Sequence, residues 1–165
     1  MLWPSPRVSC GRTVEQGEGG KVGAVDERGT IDIQESLQRL LQQQAAVADL
    51  FYEIFLERYP ESRPYFKGVN LRQQAILLTM ALTVIEGYYT HSFPSMAMYL
   101  KYLGTKHHGR GIPPELYPSF CDALLSALEQ FHGPDWNPRL AGQWQEAIHR
   151  ASQAMLEGYR EHFTV

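Results

Sequence analysis

A chain of 165 residues, 44% hydrophobic and 20% charged, has the make-up of one soluble globular domain with a single core. A net charge of −3 with no basic tract offers nothing to nucleic acid. Two cysteines, Cys10 and Cys121, support neither a disulfide framework nor a cysteine-based zinc site, which fits a reducing cytoplasm.

Residues 1 to about 30 carry Gly11, Gly17, Gly19, Gly20, Gly23 and Gly29 without apolar periodicity, and read as a disordered leader before a domain over 31–165. The first residues lack the basic start and apolar run of a secretory signal. Order is expected from Asp32, which with Glu35 makes a helix start signal, followed by Ile33, Leu37, Leu40 and Leu41 at helical spacing. A second helix is predicted over Ala46 to Arg58, where Val47, Leu50, Phe51, Ile54 and Phe55 form one wide apolar face and Pro60 ends it. A third runs from about Asn70 to Tyr89 and is apolar nearly all round, so it is expected inside the fold. Its stretch Ala75 to Ile85 is too short to span a bilayer, and no membrane association is expected.

Ser92 and Pro94 announce a fourth helix, to about His108. A fifth begins near Glu115 after Pro113-Pro114 and stops at Gly133. Asn137-Pro138 then caps a long last helix carrying Leu140, Trp144, Ile148, Ala151, Met155 and Tyr159 at spacings of three and four. There is no credible strand and no internal repeat.

His107 is the most telling residue. Leu103 and Leu100, four and seven positions before it, place it on the apolar face of the fourth helix, so its ring points inward and needs a partner. Read alone, it is either a hydrogen-bonded core histidine or a metal ligand such as a haem carries. Adjacent helical residues point about 100° apart, so His108 belongs at the rim or in solvent. His91, His132, His149 and His162 read as surface residues, with His91 close enough in sequence to swing inward as an optional ligand.

Together these residues resemble the globin family, and most closely single-domain bacterial globins related to the haem domain of flavohaemoglobins. The resemblance covers roughly residues 32 to 163. Phe51-Tyr52 to Pro60 is similar to the family's second helix, Arg63-Pro-Tyr-Phe66 to the corner with its haem-stacking phenylalanine, and Gln73 with Leu77 to the distal pair. Lys106-His107 and Tyr117-Pro118, with ten residues from histidine to tyrosine, resemble the proximal pair, and Trp144 matches a tryptophan of the last helix. The order and intervals of these matches together make the resemblance specific.

The resemblance implies an all-α globin fold, a three-over-three helical sandwich around a pocket for haem b. His107 would be the proximal iron ligand, Tyr117 its support, Phe66 a wedge against the porphyrin and Leu77 the limit on ligand space. Tyr52 and Gln73 would donate hydrogen bonds to a diatomic gas such as O2, NO or CO. It also implies oxygen binding or transport, and nitric oxide detoxification as a dioxygenase. The flavin and nicotinamide reductase domains are expected to be absent, so turnover would draw electrons from a separate reductase. One departure stands out: where the family polarises the proximal pair with a glutamate of the last helix, this chain has Tyr159, with Glu157 and Glu161 on other faces. A haem-based sensor or regulatory module is the alternative reading, and monomer and homodimer are both open.

Overall fold

The computed structural model describes residues 30–160. The leader, Cys10, Glu161 and His162 lie outside the described residues. Six α-helices and two 3-10 segments make up the fold, and no strand occurs among the described residues. Helix α1 (Ile33–Gln42) starts where the Asp32 carboxylate accepts the backbone N–H of Glu35 at 2.9 Å. One residue, Gln43, separates it from α2 (Gln44–Arg58). Pro60 then opens a 3-10 segment, Pro60–Phe66.

Helix α3 (Leu71–His91) is capped by Asn70, whose side chain accepts the N–H groups of Arg72 and Gln73, and it ends at Ser92 with a left-handed φ of 53°. Helix α4 (Pro94–Gly109) follows, then α5 (Leu116–His132), a 3-10 turn at Gly133–Asp135 and α6 (Pro138–Arg160). Gly133 terminates α5 with φ of 52°, and the Asn137 side chain accepts the Leu140 N–H at 3.0 Å to start α6.

The helices form two layers of three, α1, α3 and α4 over α2, α5 and α6, joined most closely where α4 crosses α6. The core between them holds Leu40, Phe51, Leu82, Leu100, Leu124, Leu128, Leu140 and Trp144 at full or nearly full burial. Each such side chain contributes about 1.5–3 kcal/mol by leaving water.

Two glycines bring α4 and α6 together backbone to backbone. A β-carbon on Gly104 would lie 1.8 Å from the Met155 carbonyl oxygen, and one on Gly158 would lie 2.0 Å from that of Lys101. Thr105 Oγ1 donates to the Gly158 carbonyl across the same crossing at 3.0 Å.

The third helix departs from the expectation that it would lie wholly inside. It buries Leu78, Leu82 and Ile85 against its neighbours, while Ile76, Leu77 and Met80 stay about half exposed. The reason is that α3 and α4, although consecutive, touch mainly at their shared end. There Gly87 leaves room for Met96 of α4, whose Sδ and Cε would meet a β-carbon at 3.0 and 2.8 Å. From that apex the two helices diverge.

Candidate functional site

The divergence of α3 and α4 makes a slot whose walls follow from helical spacing. Met80 lies seven residues before Gly87, with Leu77 and Gln73 in the same stripe, so the face of α3 that meets α4 at the apex is also the face carrying these side chains. On α4, Leu103 and His107 lie seven and eleven residues after Met96 and share its side. An apolar wall with a glutamine at its open end therefore faces a wall that presents one histidine.

The floor is aromatic. Phe51, Tyr52 and Phe55 of α2, Phe66 of the 3-10 segment and Phe120 of α5 meet edge to face or stacked, with ring centroids 5.0–6.0 Å apart. Phe66 packs on Tyr52 at 5.6 Å, so the two residues singled out in that region of the sequence are neighbours. Tyr52 is buried, and burial pushes its hydroxyl pKa up to about 12, which keeps it a neutral donor near pH 7. Its hydroxyl lies 3.4 Å from the Gln74 carbonyl, across the first turn of α3.

His107 is half-buried, and its Nδ1 stands 3.1 Å from the hydroxyl of buried Tyr117. No buried side-chain nitrogen or oxygen lacks a partner among the described residues, and Nε2 has no hydrogen bond, so Nε2 is accessible. Burial, with the nearby charge of Arg110, lowers the His107 pKa, so the ring is held neutral with a lone pair available. Tyr117 in turn packs on Tyr159 of α6 with centroids 5.8 Å apart, and the Tyr159 hydroxyl donates to the Ile112 carbonyl at 2.9 Å. Burial raises the Tyr117 pKa far above the ordinary phenol value.

Tyr52 with Phe66, and His107 with Tyr117, are thus brought together. Gln73 and Leu77 stand exposed on the α3 wall, and the Gln73 side chain makes no hydrogen bond among the described residues. His108 is exposed and meets Tyr159 edge-on at 5.3 Å, so it does not share the His107 face. His91 is also exposed and stacks on Phe93 rather than entering the slot. His149 is half-buried.

His132 corrects the sequence expectation of a surface residue. It is only 6% exposed, with Nε2 2.7 Å from the hydroxyl of Ser36, which also accepts the indole N–H of Trp144 at 2.9 Å. Its partner Ser36 lies 96 residues away along the chain, so helical periodicity alone could not place it. Tyr159 was visible as a departure, but its bond to Ile112 depends on how α6 crosses α4. Glu157 pairs with Lys101 at 2.9 Å on the exposed side of that crossing, and so does not supply a carboxylate to Tyr117.

The donor set constrains what the slot can hold. Among the described residues no group of three or more His, Cys, Asp or Glu side chains could cage a metal ion. One accessible imidazole nitrogen between apolar and aromatic walls fits a metal that brings its other ligands in a flat apolar ring, as a haem does.

A family model described as Globin matches residues 48–155, from α2 into α6, and the chain belongs to the globin family. It is similar to the flavohemoprotein of Bacillus thuringiensis subsp. konkukian (strain 97-27), at 31% identity over 132 residues, covering 77% of this chain and 32% of the relative. The chain thus spans about a third of the length of the curated relatives it matches. Among solved structures, a Pseudomonas aeruginosa PAO1 protein described as structurally highly homologous to a human hemoglobin aligns with a TM-score of 0.65 at 25% identity, covering 78% of this chain and 98% of that one. The flavohemoglobin of Malassezia yamatoensis, solved with bound FAD and heme, shares the fold, with a TM-score of 0.63 at 19% identity, covering 78% of this chain and 34% of that one. No helix among the described residues is long and apolar enough to cross a membrane.

Proposed function

We propose that the slot between α3 and α4 holds a haem, and that the chain is a globin that reversibly binds diatomic gases, dioxygen, nitric oxide and carbon monoxide among them. The observation that carries this reading is the accessible Nε2 of His107, with Nδ1 fixed on Tyr117 and the apolar stripe of α3 opposite. When bound, the haem supplies an iron centre with one position left for a small ligand.

The protein's own residues divide the remaining work. His107 holds the iron through Nε2, and Tyr117 keeps its ring from rotating. Phe66, Leu77 and Met80 line the faces of the slot with apolar surface and exclude water. Tyr52 and Gln73 are the two donors on the side opposite His107. A hydrogen bond from each to a partly negative ligand atom is worth about 1.5–3 kcal/mol, enough for the pair to slow gas release by orders of magnitude. Tyr52 is protonated near pH 7, as phenols are, and burial widens that margin by pushing its pKa up to about 12.

Nitric oxide dioxygenation is the reaction such a site would serve. Dioxygen, nitric oxide and one electron give one nitrate, and the electron would come from a separate reductase. The likeness to flavohemoproteins supports this chemistry.

A visible absorption spectrum of the purified chain tests the first claim. A Soret band that moves on adding carbon monoxide after reduction is expected, and a colourless protein that takes up no added haem would end the reading. Nitrate formation from the oxygenated protein, driven by a matched reductase, tests the second. A rate no better than that of a storage globin would leave gas binding alone.

A further inference from the structure

We infer that Tyr159 is the point at which oxidising equivalents formed in the slot reach the surface, and that the haem-loaded chain oxidises small electron-rich phenols there with hydrogen peroxide as the oxidant. The inference rests on the haem reading and concerns a face of the protein that gas binding does not use.

A series of ring contacts carries it. His107 meets Tyr117 with centroids 6.2 Å apart, Tyr117 meets Tyr159 at 5.8 Å, and Tyr159 meets His108 edge-on at 5.3 Å. The series runs from the half-buried imidazole of the slot, through buried Tyr117 and half-buried Tyr159, to an exposed imidazole. Electrons cross between rings in contact far faster than over the same span of saturated chain, and a phenol is among the side chains most readily oxidised. The opposite side of the slot has no such exit. There the rings that meet Tyr52 among the described residues are those of Phe51 and Phe66, plain hydrocarbons that hold their electrons too tightly to relay them.

The α4–α6 crossing sets these rings in place. A β-carbon on Gly158 would lie 2.0 Å from the Lys101 carbonyl oxygen, so a glycine there lets α6 come close enough to lay the next residue, Tyr159, against both Tyr117 and His108. The Tyr159 hydroxyl donates to the Ile112 carbonyl at 2.9 Å, which fixes the ring from the loop that ends α4.

The electron count closes with peroxide. Reducing one hydrogen peroxide to two waters in the slot takes two electrons and two protons. Each electron leaves Tyr159 and crosses the Tyr117 ring, while the Tyr159 O–H bond breaks and its proton passes to water. Tyr117 is buried with its hydroxyl 3.1 Å from His107 Nδ1, so it has no water to receive a proton and the oxidation does not stay on it. A phenol docked beside exposed His108 then returns one hydrogen atom to the Tyr159 oxygen and leaves as its own phenoxyl radical. Two phenols are oxidised for each peroxide reduced.

Spin trapping locates the oxidation. In the haem-loaded ferric chain treated with an equimolar amount of hydrogen peroxide, a nitroso spin trap followed by peptide mass spectrometry should label Tyr159 above every other residue. Tyr159→Phe should remove that label and lower the peroxide-driven oxidation of guaiacol, an electron-rich phenol, several-fold, with the Soret band and carbon monoxide spectrum of the parent retained. Tyr159→Trp, whose indole is also oxidisable, should restore most of the guaiacol rate. Haem uptake with the label absent from Tyr159, or guaiacol oxidation unmoved in Tyr159→Phe, overturns the inference and leaves the haem reading standing. A chain that shows no Soret band after added haem overturns both.

Discussion

Among the described residues, His132 and His107 are both tied to hydroxyls, but one bond lies inside the core and the other beside the slot. At His132, Nε2 lies 2.7 Å from the Ser36 hydroxyl, which also accepts the indole N–H of Trp144. At His107, Nδ1 lies 3.1 Å from the Tyr117 hydroxyl while Nε2 has no hydrogen bond. The first network joins α1, α5 and α6 with Ser36 and Trp144 fully buried, and it is closed to solvent. The second lies at the mouth of a slot and leaves one ring nitrogen accessible. A histidine whose bonds are spent inside the core serves the fold, whereas one held by a single nitrogen is prepared to bind something.

The comparison breaks most sharply at the α4–α6 crossing, on which the second network depends and the first does not. Gly104→Ala would drive a methyl group into the Met155 backbone, 1.8 Å from its carbonyl oxygen, so the helices must separate. A loss of roughly 3 kcal/mol or more is expected in urea unfolding. Stability within about 1 kcal/mol of the parent would show that the crossing tolerates what its geometry forbids.

Ser36→Ala attacks the other network and comes next in size. It would leave the Trp144 N–H and His132 Nε2 without their shared partner in a dry site, at a cost of about 2–4 kcal/mol. Haem uptake and the carbon monoxide spectrum should be unaffected. A parallel loss of haem binding would mean that the two regions are not separate.

How far each network was legible follows from the distance over which its bonds act. Helix starts at Asp32, Asn70 and Asn137, and the stop at Gly133, are local signals between residues a few positions apart, and the structure follows them closely. His107 and Tyr117 stand ten residues apart across one turn, near enough for spacing and family resemblance to pair them. The Tyr159–Ile112 bond spans 47 residues and the Ser36–His132 bond spans 96. Both depend on how helices pack, the first on α6 crossing α4 where Gly104 meets Met155 and Gly158 meets Lys101, and neither glycine announces its partner in the sequence. The half-exposed stripe of Ile76, Leu77 and Met80 was misread as core for the same reason: an all-apolar helix does not say which of its faces a neighbour covers.

His107→Ala separates site from fold with a smaller effect on stability. The side chain is half-buried with one hydrogen bond, so unfolding should shift by no more than about 1 kcal/mol, while retention of haem on a desalting column should be lost. A variant that keeps the parent's colour and affinity would remove His107 from its proposed role.

Mild acid gives the finest discrimination between the two histidines. Burial, with Arg39 nearby, lowers the His132 pKa below its ordinary value of 6.5, and burial lowers that of His107 as well. For each, the unfolded chain takes up a proton more readily than the folded one, so stability is fully present above the unfolded pKa and is lost as pH falls through it towards the folded value. Urea midpoints of the haem-free chain should therefore fall from pH 7 to pH 5. His132→Gln keeps an amide that can hydrogen-bond the Ser36 hydroxyl but cannot take up the proton, so it should flatten part of this slope. In the haem-loaded chain, Nε2 of His107 would be occupied, and the residual slope should come mainly from His132. An undiminished slope in His132→Gln would show that the closed network is not where acid enters the fold.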